Sequence, residues 1–156
     1  MGVACLIIWI VTASFGLYLV SIWLIEYDKD FQSEAATRLP PPVLAGHVIA
    51  AGGGLIVWIG YLLWDNDRLA WYSVIALVVA ATLGLTMAIR WLSVYRAYRT
   101  SDRAAATGLS AARATRTAAE GPPERNFPLP VVVTHGVFAV TTLTLVLLTA
   151  LRVVGS

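Results

Sequence analysis

Two histidines, His47 and His135, are the only imidazoles in this chain of 156 residues, and each closes the same phrase. Residues 40 to 47 read Pro-Pro-Pro-Val-Leu-Ala-Gly-His and residues 128 to 135 read Pro-Leu-Pro-Val-Val-Val-Thr-His, so both fit Pro-x-Pro-Val-x-x-x-His. Imidazole is a metal ligand, a hydrogen-bonding group and a proton carrier. Two copies in one local context point to a shared site. Four residues past each histidine stands an alanine (Ala51, Ala139), and seven past it a small residue (Gly54, Thr142). On a helix these offsets share the histidine's face. All four would leave room beside the imidazoles, where a packed core would hold Leu or Ile.

The elements that must carry these histidines are membrane helices. The chain is 58% hydrophobic and 13% charged, against roughly 25% charged in a soluble domain. Four stretches, about 3 to 25, 42 to 64, 69 to 94 and 130 to 152, have the roughly 20 apolar residues that a spanning helix needs. They run continuously, without the alternation that barrel strands require. Pro40 and Pro42, or Pro128 and Pro130, suit a helix's first turn, where a missing N–H costs little. From Pro42 to His47, and from Pro130 to His135, the rise is about 7.5 Å. Both imidazoles are therefore expected at one depth inside the hydrocarbon, where ionisable groups turn inward and mark function.

A repeat extends behind the two phrases. Ala13-Ser14-Phe15-Gly16-Leu17, Trp23-Leu24 and Tyr27 match Ala81-Thr82-Leu83-Gly84-Leu85, Trp91-Leu92 and Tyr95 at an offset of 68, whereas the histidine phrases are offset by 88. The difference is an insertion of 20 residues in the second long connection. The expectation is an all-α integral membrane protein, a four-helix transmembrane bundle built by tandem duplication of a two-helix unit. One membrane domain would occupy 1–156, with repeats over 3–64 and 69–152 and a long loop over 96–127. Within that loop, residues 101 to 118 suit either a polar surface helix or a mobile segment.

Eight of the 11 basic residues (Lys29, Arg38, Arg96, Arg99, Arg103, Arg113, Arg116, Arg125) fall in the two connections on one face, against Arg68 and Arg152 on the other. Basic loops stay in the cytoplasm. The expected setting is a bacterial inner or plasma membrane, with both termini extracytoplasmic and the long loops cytoplasmic. The net charge of +2 follows from this bias, and no nucleic-acid partner is expected. The first segment lacks a basic leader and belongs to the repeat, so it reads as a retained helix. Cys5, the lone cysteine, reads as a small buried hydrophobe. Gly46, Gly53 and Gly60 recur every seven residues and mark close helix contact, within the bundle or with a partner.

Duplicating an even number of helices keeps the copies parallel about an axis along the membrane normal. In an up-down-up-down bundle, helices two and four then lie diagonally opposite, and His47 can face His135. Imidazoles facing at equal depth suit axial ligation of a flat metal macrocycle, here one b-type haem. With both axial positions filled, the chemistry would be electron transfer. Arg90 stands where the first repeat has Ile22, at the depth of haem propionates or simply reaching for headgroups. Trp23, Trp91, Tyr27 and Tyr95 read as an interfacial belt. A zinc site would need more protein ligands, and a proton-coupled transporter a carboxylate within a span. No nucleophile motif, phosphate loop or carboxylate pair signals an enzyme acting alone. Two other readings stay open. One is a quinone-binding subunit without haem; the other is a structural, accessory or assembly subunit whose histidines bond to backbone or Thr hydroxyls on neighbouring helices.

The four spans with a bis-histidine site on facing helices resemble small membrane b-type cytochromes, namely cytochrome b561 proteins and the haem-bearing anchor subunits of respiratory dehydrogenases. Members of the b561 class typically hold two haems on four histidines, whereas this chain supplies ligands for one. The resemblance implies membrane lipid around the chain, and a quinone pool, another redox protein or a respiratory complex as partner.

Overall fold

The computed structural model describes residues 1–30, 39–106 and 123–154. Four long helices, Gly2–Asp30 (α1), Pro41–Trp64 (α2), Asp67–Ala106 (α3) and Leu129–Val154 (α4), are joined by a short 3-10 turn at Pro123–Asn126 before α4. All four are long and apolar enough to cross a membrane. The tight turn between α2 and α3 has local causes. Asp65 takes the left-handed conformation (φ 49°) and its amide donates to the Tyr61 carbonyl at 3.0 Å. Asn66 Oδ1 then accepts the Arg68 amide at 3.1 Å, satisfying a donor in the first turn of α3.

Contacts at this end make neighbouring helices antiparallel. Trp58 Nε1, late in α2, donates to the Gly2 carbonyl at 3.2 Å, and Cys5 Sγ lies 3.5 Å from Thr149 Oγ1, late in α4. Around the bundle the order is α1, α2, α3, α4: α2 packs most extensively on α3 and α1 on α4, with α3 against α4 and α1 against α2 closing the ring. Helices α2 and α4 therefore face each other across a diagonal, as do α1 and α3. The 3-10 turn lies against both α1 and α3 at the end that carries the long connections.

Packing is concentrated in two layers. Near the tight turn Cys5, Trp9, Trp58, Ala70, Val74, Leu77, Val146 and Ala150 form a buried cluster. Toward the other end Trp23, Leu39, Trp91, Val94 and Glu124 are buried. Between these layers, along 13–22, 40–53, 81–90 and 125–141, no residue is buried. The outer surface is apolar: Ile7, Ile10, Leu17, Ile49, Ile56, Ile75, Leu85 and Val140 are exposed. Hydroxyls on that surface are satisfied within their own helix. Ser14, Ser21, Thr82, Thr86, Thr141 and Thr144 each donate to the carbonyl four residues earlier. An apolar surface whose polar groups are internally paired is what hydrocarbon demands.

Each expected span falls within a helix, but α3 continues beyond 94 to Ala106. Residues 91 to 106 contain neither Gly nor Pro and are rich in Arg and Ala, which favour helix. The connection expected from 96 thus begins as an extension of α3. Of the segment 101–118, the first six residues belong to α3, and the rest lies outside the described residues. Cys5 is buried as expected. The three glycines spaced by seven in α2 divide: Gly46 approaches Leu83 on α3, Gly60 lies against Trp64 of its own helix and then Leu69 of α3, and Gly53 faces open space.

Candidate functional site

The two prolyl phrases start their helices identically. Pro40 O accepts the amides of Val43 and Leu44 at 2.9 and 3.1 Å, and Pro128 O accepts those of Val131 and Val132 at 3.0 and 3.1 Å. Each acceptor and each donor is displaced by 88 residues from its counterpart. Both histidines follow at the same distance into the helix and turn toward the bundle interior.

Their rings face each other across the diagonal, with centroids 6.2 Å apart and planes inclined at 68°. Each is anchored by the nitrogen nearer its own backbone. His47 Nδ1 lies 2.8 Å from the Ala80 carbonyl on α3, and His135 Nδ1 lies 3.0 Å from the Thr12 carbonyl on α1. A carbonyl only accepts, so Nδ1 carries the proton. In the neutral ring Nε2 then keeps a free lone pair. Among the described residues neither Nε2 makes a hydrogen bond. The acceptors Thr12 and Ala80 are themselves 68 residues apart, the offset of the α1/α3 repeat.

A second matched pair confines the rings. A Cβ on Gly84 would lie 3.0 Å from His47 Cε1, and a Cβ on Gly16 would lie 3.0 Å from His135 Cε1. These glycines, also 68 apart, let α3 and α1 approach the imidazole edges. Their type and register were visible in the repeat, but their purpose was not. It depends on which helix each histidine touches, and that in turn depends on the packing order.

The other expected site residues lie at different levels. Ala51 and Ala139 are half-buried beside the histidine layer. Gly54 and Thr142 are buried one level nearer the tight turn, where space is already taken. A Cβ on Gly54 would meet Ala76 Cβ at 2.9 Å and the Trp9 ring at 3.2 Å, and Thr142 Oγ1 is hydrogen-bonded to Thr12 Oγ1 at 2.9 Å. Arg90 is exposed on α3. Trp23 and Trp91 are corrected outright. Both are buried, at 6% and 5% exposure, and form the packed layer at the long-connection end instead of a lipid-facing belt. Tyr95 stacks on Trp91 at 5.1 Å between centroids and accepts a bond from Arg99 at 2.6 Å. The side chain of Tyr27 lies outside the described residues.

The donor set restricts what could bind. Among the described residues there is no group of three or more His, Cys, Asp and Glu able to hold a metal ion, so the two imidazoles suit a metal that brings its remaining ligands with it. The two rings meet edge-on at a distance ordinary for direct ring contact, and a metal between them would be held by their Nε2 atoms. Ligating histidines characteristically donate their second ring N–H to a backbone carbonyl or carboxylate, which fixes ring and tautomer. Both rings here do so. Compared with protein-family models, curated proteins and solved structures, the chain has no match.

Proposed function

We propose that this chain is a membrane electron-transfer protein that binds one b-type haem between His47 and His135. The observation that carries the reading is the paired geometry: facing rings 6.2 Å apart, each with Nδ1 tied to a carbonyl and Nε2 left over. The backbone bonds alone would equally suit a structural subunit that uses histidines to tie α2 to α3 and α4 to α1. The spare nitrogens on two adjacent rings, in a layer without a buried residue, favour a ligand. When bound, haem would be held by His47 and His135 and would supply a one-electron couple.

The chain's own residues have separable parts in this. Ala80 and Thr12 carbonyls orient the imidazoles and raise their basicity as ligands. Gly16 and Gly84 admit the ring edges. The Trp9, Trp58, Leu77 and Val146 layer closes the turn end to water. We further propose that the matched contacts at offsets of 68 and 88 descend from a tandem duplication, and that the termini and tight turn are extracytoplasmic in a bacterial inner membrane, by the distribution of Lys and Arg. A quinone or a second redox protein, within a respiratory complex or free, is the partner class that such a centre serves.

The test is ligand deletion. His47→Ala and His135→Ala should each abolish the low-spin spectrum of protein purified in mild detergent, and the double substitution should add little, because the pair acts as one unit. Retention of the wild-type spectrum in both single variants would rule the reading out in favour of the structural subunit.

A further inference from the structure

Among the described residues one buried side-chain nitrogen or oxygen lacks any hydrogen-bond partner, the indole Nε1 of Trp91. An indole N–H can only donate, and burying a donor unpaired is costly. Native interiors rarely leave such a group unless something absent from the protein atoms satisfies it. Its place in the fold bears on what that is. Trp91 is seven residues past Gly84 on α3, two helical turns along the same face and about 10 Å toward the long-connection end. It borders the layer, free of buried residues, that holds both imidazoles.

Resting on the haem reading, we infer that the Trp91 indole N–H donates to a carboxylate of the bound macrocycle and thereby sets which way round it sits. Haem is an apolar disc with two propionates on one edge. On the turn side of the histidines the nearest buried hydroxyls, Thr12 and Thr142, already donate to the Ile8 and Phe138 carbonyls, and behind them Trp9, Trp58, Leu77 and Val146 are buried, so a carboxylate there would be desolvated without a free donor. The opposite side offers an unpaired N–H and, beyond it, three basic residues of the α3 extension, Arg96, Arg99 and Arg103, against one buried carboxyl, Glu124, which already has an interaction of its own. The anionic edge therefore faces the long connections. The counterpart of Trp91 at an offset of 68, Trp23, has no such buried unpaired nitrogen, so this donor breaks the twofold match of the site and favours one orientation over its mirror.

The experiment compares haem with haem dimethyl ester, which keeps the ring and iron but has no carboxylate charge. Apoprotein labelled with nitrogen-15 on its indoles is loaded with each, reduced to the diamagnetic low-spin state, and its indole N–H signals are recorded. One signal, missing from the Trp91→Phe spectrum, should move downfield with haem and much less with the ester, because a bond to a charged acceptor is roughly twice as strong. Wild type should also bind haem on the order of tenfold more tightly than the ester, and Trp91→Phe should lose that preference while keeping the bis-histidine spectrum. If both rings give the low-spin spectrum and no indole signal distinguishes them, the haem reading stands and this inference is overturned, without recourse to any variant. If neither ring gives a low-spin spectrum, both fall together.

Discussion

The two ends of the bundle are built on different plans. In the half nearer the tight turn, the buried residues related by the 68 and 88 offsets differ: Cys5 and Ser73, Trp9 and Leu77, Trp58 and Val146, Gly54 and Thr142. Large groups fill the space left by small ones, as Trp9 does against Gly54. In the other half several related interior residues are the same. His47 and His135, Gly16 and Gly84, Ala51 and Ala139, Trp23 and Trp91 repeat in type, and the contacts of the histidines and glycines repeat with them. The first half has a buried core, whereas the histidine layer of the second contains no buried residue. Close packing needs only that summed volumes fit, so paired positions are free to diverge. A site that presents the same group to both faces of one ligand leaves no such freedom.

The contrast breaks most sharply at the glycines. Gly84→Leu and Gly16→Leu should each displace an imidazole and lower haem occupancy at least about tenfold, as read from the pigment-to-protein ratio, while helix content is unchanged. Equal pigment in these variants would separate the glycines from the site. In the packed half Trp58→Ala should instead weaken the fold, by about 3–5 kcal/mol for loss of a fully buried indole and its bond to Gly2, as measured by reversible unfolding in mixed micelles. Its haem spectrum below the transition should stay bis-histidine. Thr12→Val removes the hydroxyl bond to Thr142 but keeps the carbonyl that holds His135. A loss of about 0.6 kcal/mol is expected, the usual worth of an interhelical side-chain bond in a membrane, with the spectrum intact. Smallest is Arg90→Leu. Removing a cation favours the oxidised iron, so the midpoint potential should move downward, and only modestly because Arg90 is exposed; an upward shift in potentiometric titration would contradict the sign.

Much of this was legible in the chain. Continuous apolar runs set the four spans, and the two prolyl phrases set equal depths for His47 and His135. Even topology put α2 and α4 on a diagonal. Rotation about each helix axis was harder to read. Trp23 and Trp91 at span ends look like headgroup anchors until their helices are turned to face the interior. Gly54 and Thr142 share the histidine face, yet two turns along it they reach a level that Trp9 and Thr12 already occupy. The partners of the imidazoles, the Ala80 and Thr12 carbonyls, carry no signal in residue type at all, since any residue offers a backbone oxygen. Only the equal offset of the two contacts makes them recognisable once seen.

The central claim is that one iron is shared by both halves, and stoichiometry in the wild-type protein tests it most directly. Purified in mild detergent from haem-replete cells, the protein should show a low-spin b-type spectrum with a sharp alpha band on reduction and one haem per chain. A colourless preparation that is nonetheless fully helical and stably folded would contradict it.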